Sequence, residues 1–329
     1  MHYFWYSAQF HYDWVSFINI SCVVISMRSM KTKKYILVTP AKNEEKTLPL
    51  LAKSIVNQSI KPELWVIVND NSTDRTPEII RKLSDEHKWI VGYDLRDNFR
   101  EYDSTYRYSI VVRKGFKIAR EIAHENEIPY GFIALVDSDF ILERGFFEKI
   151  LLEFKKEERL GIASGGVYIR EGKRLIWERT NPNFARGSPR VFRRECFNDI
   201  GGYRRFYAPD VLSNYMARLK GWKVRQVTDA IAVQLRPTQQ RYGYYRAAIK
   251  RGYVNYYLGT PAVTVILWAV YMGLVNTPSI ALGFLKGYFE KLSKKEPRID
   301  NIGIINLVER DMSIKNNIKK VLLSVEVSG

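Results

Sequence analysis

From Lys34 onward the chain alternates short apolar runs with longer stretches of helical spacing. Tyr35–Thr39 is apolar and β-branched and is ended by Pro40, which predicts a buried strand. Between Glu44 and Gln58 the apolar residues Leu48, Leu51, Ile55 and Val56 recur at helical spacing, with Glu44 at the predicted start. Leu64–Val68 predicts a second strand. Asp74–His87 predicts a helix, with Asp74 near its start and Pro77 in its first turn. A third strand at Trp89–Tyr93, a long helix over Thr105–Asn126 and a fourth strand at Phe132–Val136 follow, with another helix starting near Glu143. Strands alternating with helices predict an α/β fold, with right-handed crossovers, a mostly parallel sheet and helices on both faces. Ligands of such sheets bind beyond the carboxyl ends of the strands, so the polar residues just after each strand are the ones to inspect.

The rhythm changes twice more. From Gly161 to Gly202 it becomes β-rich and irregular. Asp210–Lys220 is helical and stops at Gly221, and strands are predicted at Val224–Val227 and Ile231–Leu235. Arg241–Tyr257 interleaves Arg and Lys with Tyr, and 252–285 carries no charged residue. Pro261 and Asn276-Thr277-Pro278 break that run into pieces shorter than the roughly 20 residues a membrane span needs. Two short C-terminal amphipathic helices lying in a membrane interface, flanked by Arg251 and Lys286, are expected, with core helices or true spans as the alternatives. Residues 1–33 read as a poorly structured leader or a mis-assigned start, with Met27 or Met30 as initiator. A membrane anchor is the second choice, because Trp14–Met27 is apolar but short. The expected division is 1–33 leader, 34–240 catalytic-type domain, 241–292 membrane-associating region and 293–329 tail.

Of the 329 residues, 46% are hydrophobic and 26% charged, which excludes wholesale disorder. The net charge of +17 calls for an anionic partner: nucleic acid, a phospholipid face or a phosphorylated substrate. Cys22 and Cys196 are too few for a disulfide framework, and a reducing compartment is the easier reading. His2, His11, His87 and His124 have no ligand-like spacing, so any metal would be held mainly by carboxylates.

Four polar clusters fall at strand or helix ends. In Pro40-Ala41-Lys42-Asn43-Glu44-Glu45, Glu44 reads most simply as a carboxylate at a helix start. In Asn69-Asp70-Asn71-Ser72-Thr73-Asp74, Asp70 is placed to accept from a base or ribose, and a turn into a capped helix is the plain alternative. Asp137-Ser138-Asp139 puts two like charges beyond the fourth strand, an arrangement that favours a divalent cation between them over a helix cap. Asp210, preceded by Pro209, is either a cap or a general base. The glycine-rich phosphate loops are absent: Gly172-Lys173-Arg174 lacks the Walker spacing, and no G-x-G-x-x-G follows the first strand.

Together and in this order, the clusters resemble the family-2 glycosyltransferases of the GT-A fold, membrane-associated subgroup. Tyr35–Glu45 is similar to that family's opening strand and Asn-Glu turn. Ile67–Asp74 resembles its Asp-Asp-Gly-Ser-Thr-Asp loop, and Asp137-Ser138-Asp139 its Asp-x-Asp signature. Val191–Glu195 with Ile200–Tyr203 resembles the acceptor-side turn, Asp210–Gly221 the Glu-Asp helix, and Tyr242–Tyr288 the amphipathic tail. The resemblance covers roughly residues 34–290 and implies a nucleotide-binding, Rossmann-like GT-A domain. It implies a nucleotide-sugar donor (UDP- or GDP-linked), with Pro40, Ala41, Glu44, Asp70, Asp137 and Ser138 around the nucleotide sugar. Asp137 and Asp139 would hold Mn²⁺ or Mg²⁺, and Asp210 would serve as catalytic base in an inverting transfer of a single sugar. Arg113 and Lys114 are expected to help with the diphosphate.

Three departures stand out: Asn69 for the first Asp, Asn71 for the usual Gly, and Pro209 for the Glu before the base. Gln239-Gln240-Arg241-Tyr242 is only a near miss to the Gln-x-x-Arg-Trp motif of processive synthases. The acceptor is expected to be a carbohydrate or a lipid-linked molecule, at an anionic membrane surface on the cytoplasmic side of the cell membrane. A polyprenyl-phosphate acceptor, as in dolichyl-phosphate mannose synthesis, is the alternative within the family. A basic nucleic-acid-binding protein and a non-catalytic family relative are the alternatives outside that reading. Nucleic acid is not the expected partner, because the basic-aromatic segment adjoins an apolar run.

Overall fold

The computed structural model describes residues 34–95, 106–171, 174–178, 180–236, 243–275 and 277–313. The predicted leader, Gly172-Lys173, Gln239–Tyr242 and the last residues of the tail lie outside them. Among the described residues nine strands form one sheet in the order β3-β2-β1-β4-β8-β6-β9-β5, with β7 paired to β6. They are β1 Tyr35–Ala41, β2 Leu64–Asn69, β3 Ile90–Asp94, β4 Phe132–Leu135, β5 Phe140–Leu142, β6 Leu160–Glu171, β7 Arg174–Trp177, β8 Arg190–Arg193 and β9 Lys223–Gln234. Between them lie α1 Leu48–Val56, α2 Thr76–Glu86, α3 Arg107–Glu125, α4 Phe146–Lys156, α5 Arg194–Asp199 and α6 Pro209–Leu219. The C-terminal helices are α7 Tyr244–Tyr257, α8 Ala262–Val275, α9 Pro278–Ser293 and α10 Ile302–Met312.

The predicted parallel order holds through β3-β2-β1-β4. Beyond β4 the sheet is mixed, because β8 inserts antiparallel to both β4 and β6, and β5 runs antiparallel to β9. The apolar runs of β1 and β2 are buried on both faces, as a parallel sheet between helical layers requires. Tyr35, Leu37, Trp65 and Ile67 join one core with residues of α1, α2 and α4. Ile36, Val38, Val66 and Val68 face the other core, with Val111, Phe116 and Ala119 of α3 and Cys196 and Phe197 of α5.

Several boundaries differ from expectation for local reasons. β1 continues through Pro40 to Ala41, paired only with β2 there, so the missing proline N–H leaves no gap on the β4 side. α1 begins at Leu48, and Glu44 instead closes a turn by accepting the Thr47 and Leu48 N–H groups on its carbonyl. Asp74 precedes α2 and receives the Thr76 N–H at 2.9 Å. The two strands expected at 224–235 are one strand, and the gap between them is a register shift against Gly165 and Gly166 of β6.

α7 and α9 pack so closely that a Cβ on Gly287 would lie 2.1 Å from the Ile249 carbonyl oxygen. Ala248, Tyr256, Val265, Met272, Phe284 and Tyr288 fill the core of this helical layer. α10 docks on α6 through Ile304 and Val308 against Leu212 and Tyr215, and Asp311 pairs with Arg218.

Candidate active site

A cavity of about 510 Å³ opens beyond the carboxyl ends of β1, β2 and β4. All eight residues singled out from the sequence line it: Pro40, Ala41, Glu44, Asp70, Asp137, Ser138, Asp139 and Asp210. Arg113 and Lys114, expected near a diphosphate, do not. Arg113 lines a second cavity, and Lys114 lies 5.7 Å from the Tyr93 ring.

The β2 end is held by a network rather than by a bare turn. Asn69 donates to Asp94 Oδ1 at 2.8 Å and accepts the Ser72 N–H at 3.2 Å. An aspartate at 69 would set a like charge against Asp94, which accounts for the first departure. Asn71 sits at φ 51°, a left-handed conformation that asparagine tolerates nearly as glycine does, which accounts for the second. The Asp74 carboxylate ties this loop to the first one by accepting the Glu45 N–H at 3.0 Å. Burial works against its ionisation, but hydrogen bonds from Thr76 and Glu45 outweigh it and hold its pKa below the usual carboxylate value. Asp70 is buried against Arg107, whose Nε lies 2.8 Å from Oδ1, and Lys42 Nζ stands 3.7 Å from Oδ2.

At the β4 end, the Asp137 N–H donates to Ser188 Oγ at 2.7 Å, and the Asp137 carboxylate accepts the Tyr108 hydroxyl at 2.8 Å. Desolvation of its hydroxyl end, and then the Asp137 charge, push the Tyr108 phenol well up although the side chain as a whole is 37% exposed, so the hydroxyl stays a donor. Asp139 is buried, with Arg236 Nε 4.0 Å from Oδ2. Arg236 also pairs with the Glu44 carboxylate, which accepts the Thr47 hydroxyl as well. Arg236 Nε itself is buried with no hydrogen-bond partner among the described residues.

Asp210 stands in the first turn of α6, after Pro209 at its start. Proline is favoured at that position, where its missing N–H is not needed, and this accounts for the third departure without assigning it chemistry. The fully buried Arg190 of β8 fixes the loop from behind. It donates to Asp210 O at 3.3 Å and to Asn214 Oδ1 at 2.7 Å. A Cβ on Gly187 would approach Asp210 Oδ2 to 3.3 Å, so glycine keeps that carboxylate clear. The Tyr203 phenol is raised by burial and by Asp210.

For a divalent ion the expected donors are Asp137 and Asp139, both of which line the cavity. No group of three or more His, Cys, Asp or Glu side chains arranged to hold a metal exists among the described residues. Two carboxylates fit an ion that completes its shell with phosphate oxygens and water, not one held in an all-protein cage.

Five cations not expected from the sequence, Lys42, Arg107, Arg186, Arg236 and Lys250, also line the cavity, interleaved with five carboxylates. Arg236 was within reach of the strand-end rule, since it directly follows the predicted strand Ile231–Leu235. Arg107 was not, because nothing in a helix start announces a partner 37 residues away.

The model of the family described as glycosyl transferase family 2 matches residues 36–215, more than half of the 329-residue chain. The chain belongs to this family. A 4,4'-diaponeurosporenoate glycosyltransferase of Staphylococcus haemolyticus is 40% identical over 67 residues, 20% of this chain and 17% of that protein. A poly-beta-1,6-N-acetyl-D-glucosamine synthase of Staphylococcus aureus is 22% identical over 134 residues, 41% of this chain and 28% of that one. The matches thus span less than a third of the length of these curated relatives. Among solved structures, S. aureus TarS 1–349 superposes with a TM-score of 0.47 at 14% identity, covering 80% of this chain and 92% of that one. The mannosyltransferase PcManGT from Pyrobaculum calidifontis, in complex with GDP-Man and Mn²⁺, superposes with a TM-score of 0.48 at 13% identity, covering 84% and 79%.

Proposed function

We propose that the chain transfers a single sugar, with inversion, from a UDP- or GDP-linked donor to a hydroxyl of a carbohydrate or lipid-linked acceptor. The observation that carries this reading is the meeting of Asp70, Asp137, Asp139 and Asp210 in one cavity at the strand ends of a family-2 chain. Pro40, Ala41, Glu44 and Asp70 take the nucleoside side, and Asp137 and Ser138 the ribose and diphosphate. Asp137 and Asp139 hold Mn²⁺ or Mg²⁺, which when bound offsets the charge that develops on the diphosphate. Asp210 accepts the proton of the acceptor hydroxyl as that oxygen attacks the anomeric carbon from the face opposite the leaving group. Arg190 keeps the Asp210 main chain in place, and Tyr108 orients Asp137.

The same reading puts the protein on an anionic membrane surface, at the cytoplasmic face. The exposed side chains of α8 include Val263, Ile266, Leu267, Val270, Tyr271 and Leu274, an apolar stripe. At 14 residues α8 is about 21 Å long, short of a bilayer core of about 30 Å, and no described helix is long and apolar enough to cross a membrane. A helix lying flat in the interface, beside the exposed Arg246, Arg251 and Lys286, agrees with both facts.

The test is calorimetric titration with UDP- and GDP-sugars, with and without Mn²⁺, followed by a donor-hydrolysis screen. Absence of nucleotide binding under every condition sinks the proposal. Asp210→Asn is expected to abolish transfer to an alcohol. Unchanged turnover would instead favour a phosphate acceptor, already ionised and in little need of a base.

A further inference from the structure

A second cavity, of about 560 Å³, adjoins the first, and Tyr203 lines both. α3 runs past the two in turn: Arg107, Tyr108 and Val111 face the catalytic cavity, and the turns after them face the second. Arg113, Lys117, Arg120 and His124 recur at intervals of four, three and four residues, which places them on one helix face. Arg194 of α5 and Arg204 of the Gly201-Gly202 turn complete the wall. Among the described residues, five permanent cations therefore meet a single lining carboxylate, Glu121, which stands 3.5 Å from Lys117 in an exposed pair.

Three of the four arginines are oriented by neutral groups. Arg120 donates to Asn198 Oδ1 at 3.3 Å and lies 5.7 Å from the Phe197 ring. Arg194 stacks 4.6 Å over Tyr130, and Arg204 reaches the Ile200 carbonyl at 3.5 Å. Like charges along one helix face are unfavourable on their own, and a concave wall of one sign concentrates its field. Four of the five cations are arginines, whose planar forks suit phosphate oxygens. A tetrahedral phosphate presents its oxygens in three dimensions and can engage several guanidinium groups at once, whereas a carboxylate presents two oxygens in one plane.

We propose that this cleft binds phosphate groups carried by the acceptor, at a distance from the hydroxyl that reacts beside Asp210. The assignment rests on the glycosyl-transfer reading for the word acceptor, and on the cleft alone for the word phosphate. A lipid headgroup is the other source of such a group. None of the lining residues belongs to 243–313, the part that carries the apolar stripe of α8, so the acceptor itself is the source the structure favours.

The experiment uses the full chain and inorganic tripolyphosphate at low salt without divalent ions, read by calorimetry and by hydrogen exchange of peptides covering 113–124 and 194–204. The wild type is expected to bind and to protect both peptides. The set Arg113→Glu, Lys117→Glu and Arg120→Glu should weaken this at least tenfold and abolish the protection, while UDP and GDP affinities measured on the same samples stay within twofold. The milder set with Gln at the three positions, checked by its melting curve, serves if charge reversal unfolds the chain. No protection in the wild type, or equal binding by the variants, overturns the proposal. Loss of flotation on vesicles of equal parts phosphatidylcholine and phosphatidylglycerol in the cleft variants assigns the site to lipid and also overturns it. Tripolyphosphate protection without any nucleotide binding supports the anion site and overturns glycosyl transfer instead.

Discussion

Replacing Arg107 by Leu tests whether the nucleotide side of the cavity is organised by a buried ion pair. The Arg107 and Asp70 side chains are only 5% and 7% exposed, so neither can turn to water when its partner is removed. Removing one member of such a pair destabilises by about 3–5 kcal/mol, because the other charge stays buried. Lys42 lies 3.7 Å from the same carboxylate and is one-third exposed, so it compensates in part and sets the expectation at the lower end, about 3 kcal/mol. For a chain of this size, each kcal/mol lowers the melting temperature by roughly 2–4 °C, which predicts a fall of roughly 6–12 °C. Adding Asp70→Asn to the Leu variant removes the stranded charge and should restore more than half of the loss. Thermal melts of the two single variants and the double variant give the coupling energy directly. A fall below about 2 °C for Arg107→Leu, or additive losses in the double variant, would show that the pair does not hold this loop.

Three further outcomes are expected. Gly287→Leu should separate α7 from α9, since even a Cβ would stand 2.1 Å from the Ile249 carbonyl oxygen. A melt with an early transition, and proteolysis within 244–293 at native temperature, would report it, and a wild-type melt would refute the close crossing. Glu153 receives hydrogen bonds from Lys156 at 2.7 Å and Arg225 at 2.8 Å, and with Lys156 foremost these hold its pKa below the usual glutamate value. Its contribution is therefore full above the ordinary glutamate pKa and is lost as pH falls through the lower folded value. Solvent screening limits it to about 0.5–1 kcal/mol, and Glu153→Gln should remove that part of the acid limb in denaturant titrations; an unchanged acid limb counts against it. Arg236→Ala should tighten Mn²⁺ binding to the free protein in paramagnetic resonance titrations, because it takes away the cation 4.0 Å from Asp139. No change in Mn²⁺ affinity would mean that Asp139 is not where the ion goes.

The strands were readable because their apolar runs are continuous and end in polar clusters, as at Tyr35–Thr39 before Pro40 and Phe132–Leu135 before Asp137. The order of β8 was not, because antiparallel insertion of Arg190–Arg193 depends on its pairing with β4 and β6, and a four-residue run carries no direction. Asp137 and Asp139 could be singled out from their place just beyond the predicted fourth strand, whereas Glu44, Asp70 and Asp210 each had a cap or turn reading and were singled out by the order of the four clusters together. Their cationic partners were hidden by sequence distance: Arg236 reaches Glu44 across 192 residues. Glu44 shows the opposite failure. Its sequence neighbourhood fits a helix start, and only the folded chain reveals that Thr47 takes over that turn and frees the carboxylate for Arg236.

The acidic clusters at the strand and helix ends, taken alone, describe a negative cavity. Five carboxylates and five cationic side chains line it instead, so the protein's own charges there nearly cancel. Asp70 is engaged by Arg107 and Lys42, Asp137 by Tyr108, and Glu44 by Arg236. A diphosphate entering such a site meets cations already committed to carboxylates, and it must either add positive charge of its own, as a metal-bound donor does, or take a partner away. Arg236 is the partner most open to exchange: its side chain is 40% exposed, against 5% for Arg107, and one of its nitrogens is buried with no hydrogen bond among the described residues. The buried Arg107–Asp70 pair holds the cavity wall, while the half-exposed Arg236 beside Asp139 is the cation that the proposed donor would most readily displace. Further along α3, in the cleft beyond Tyr203, five cations face one carboxylate among the described residues, so a positive excess remains there.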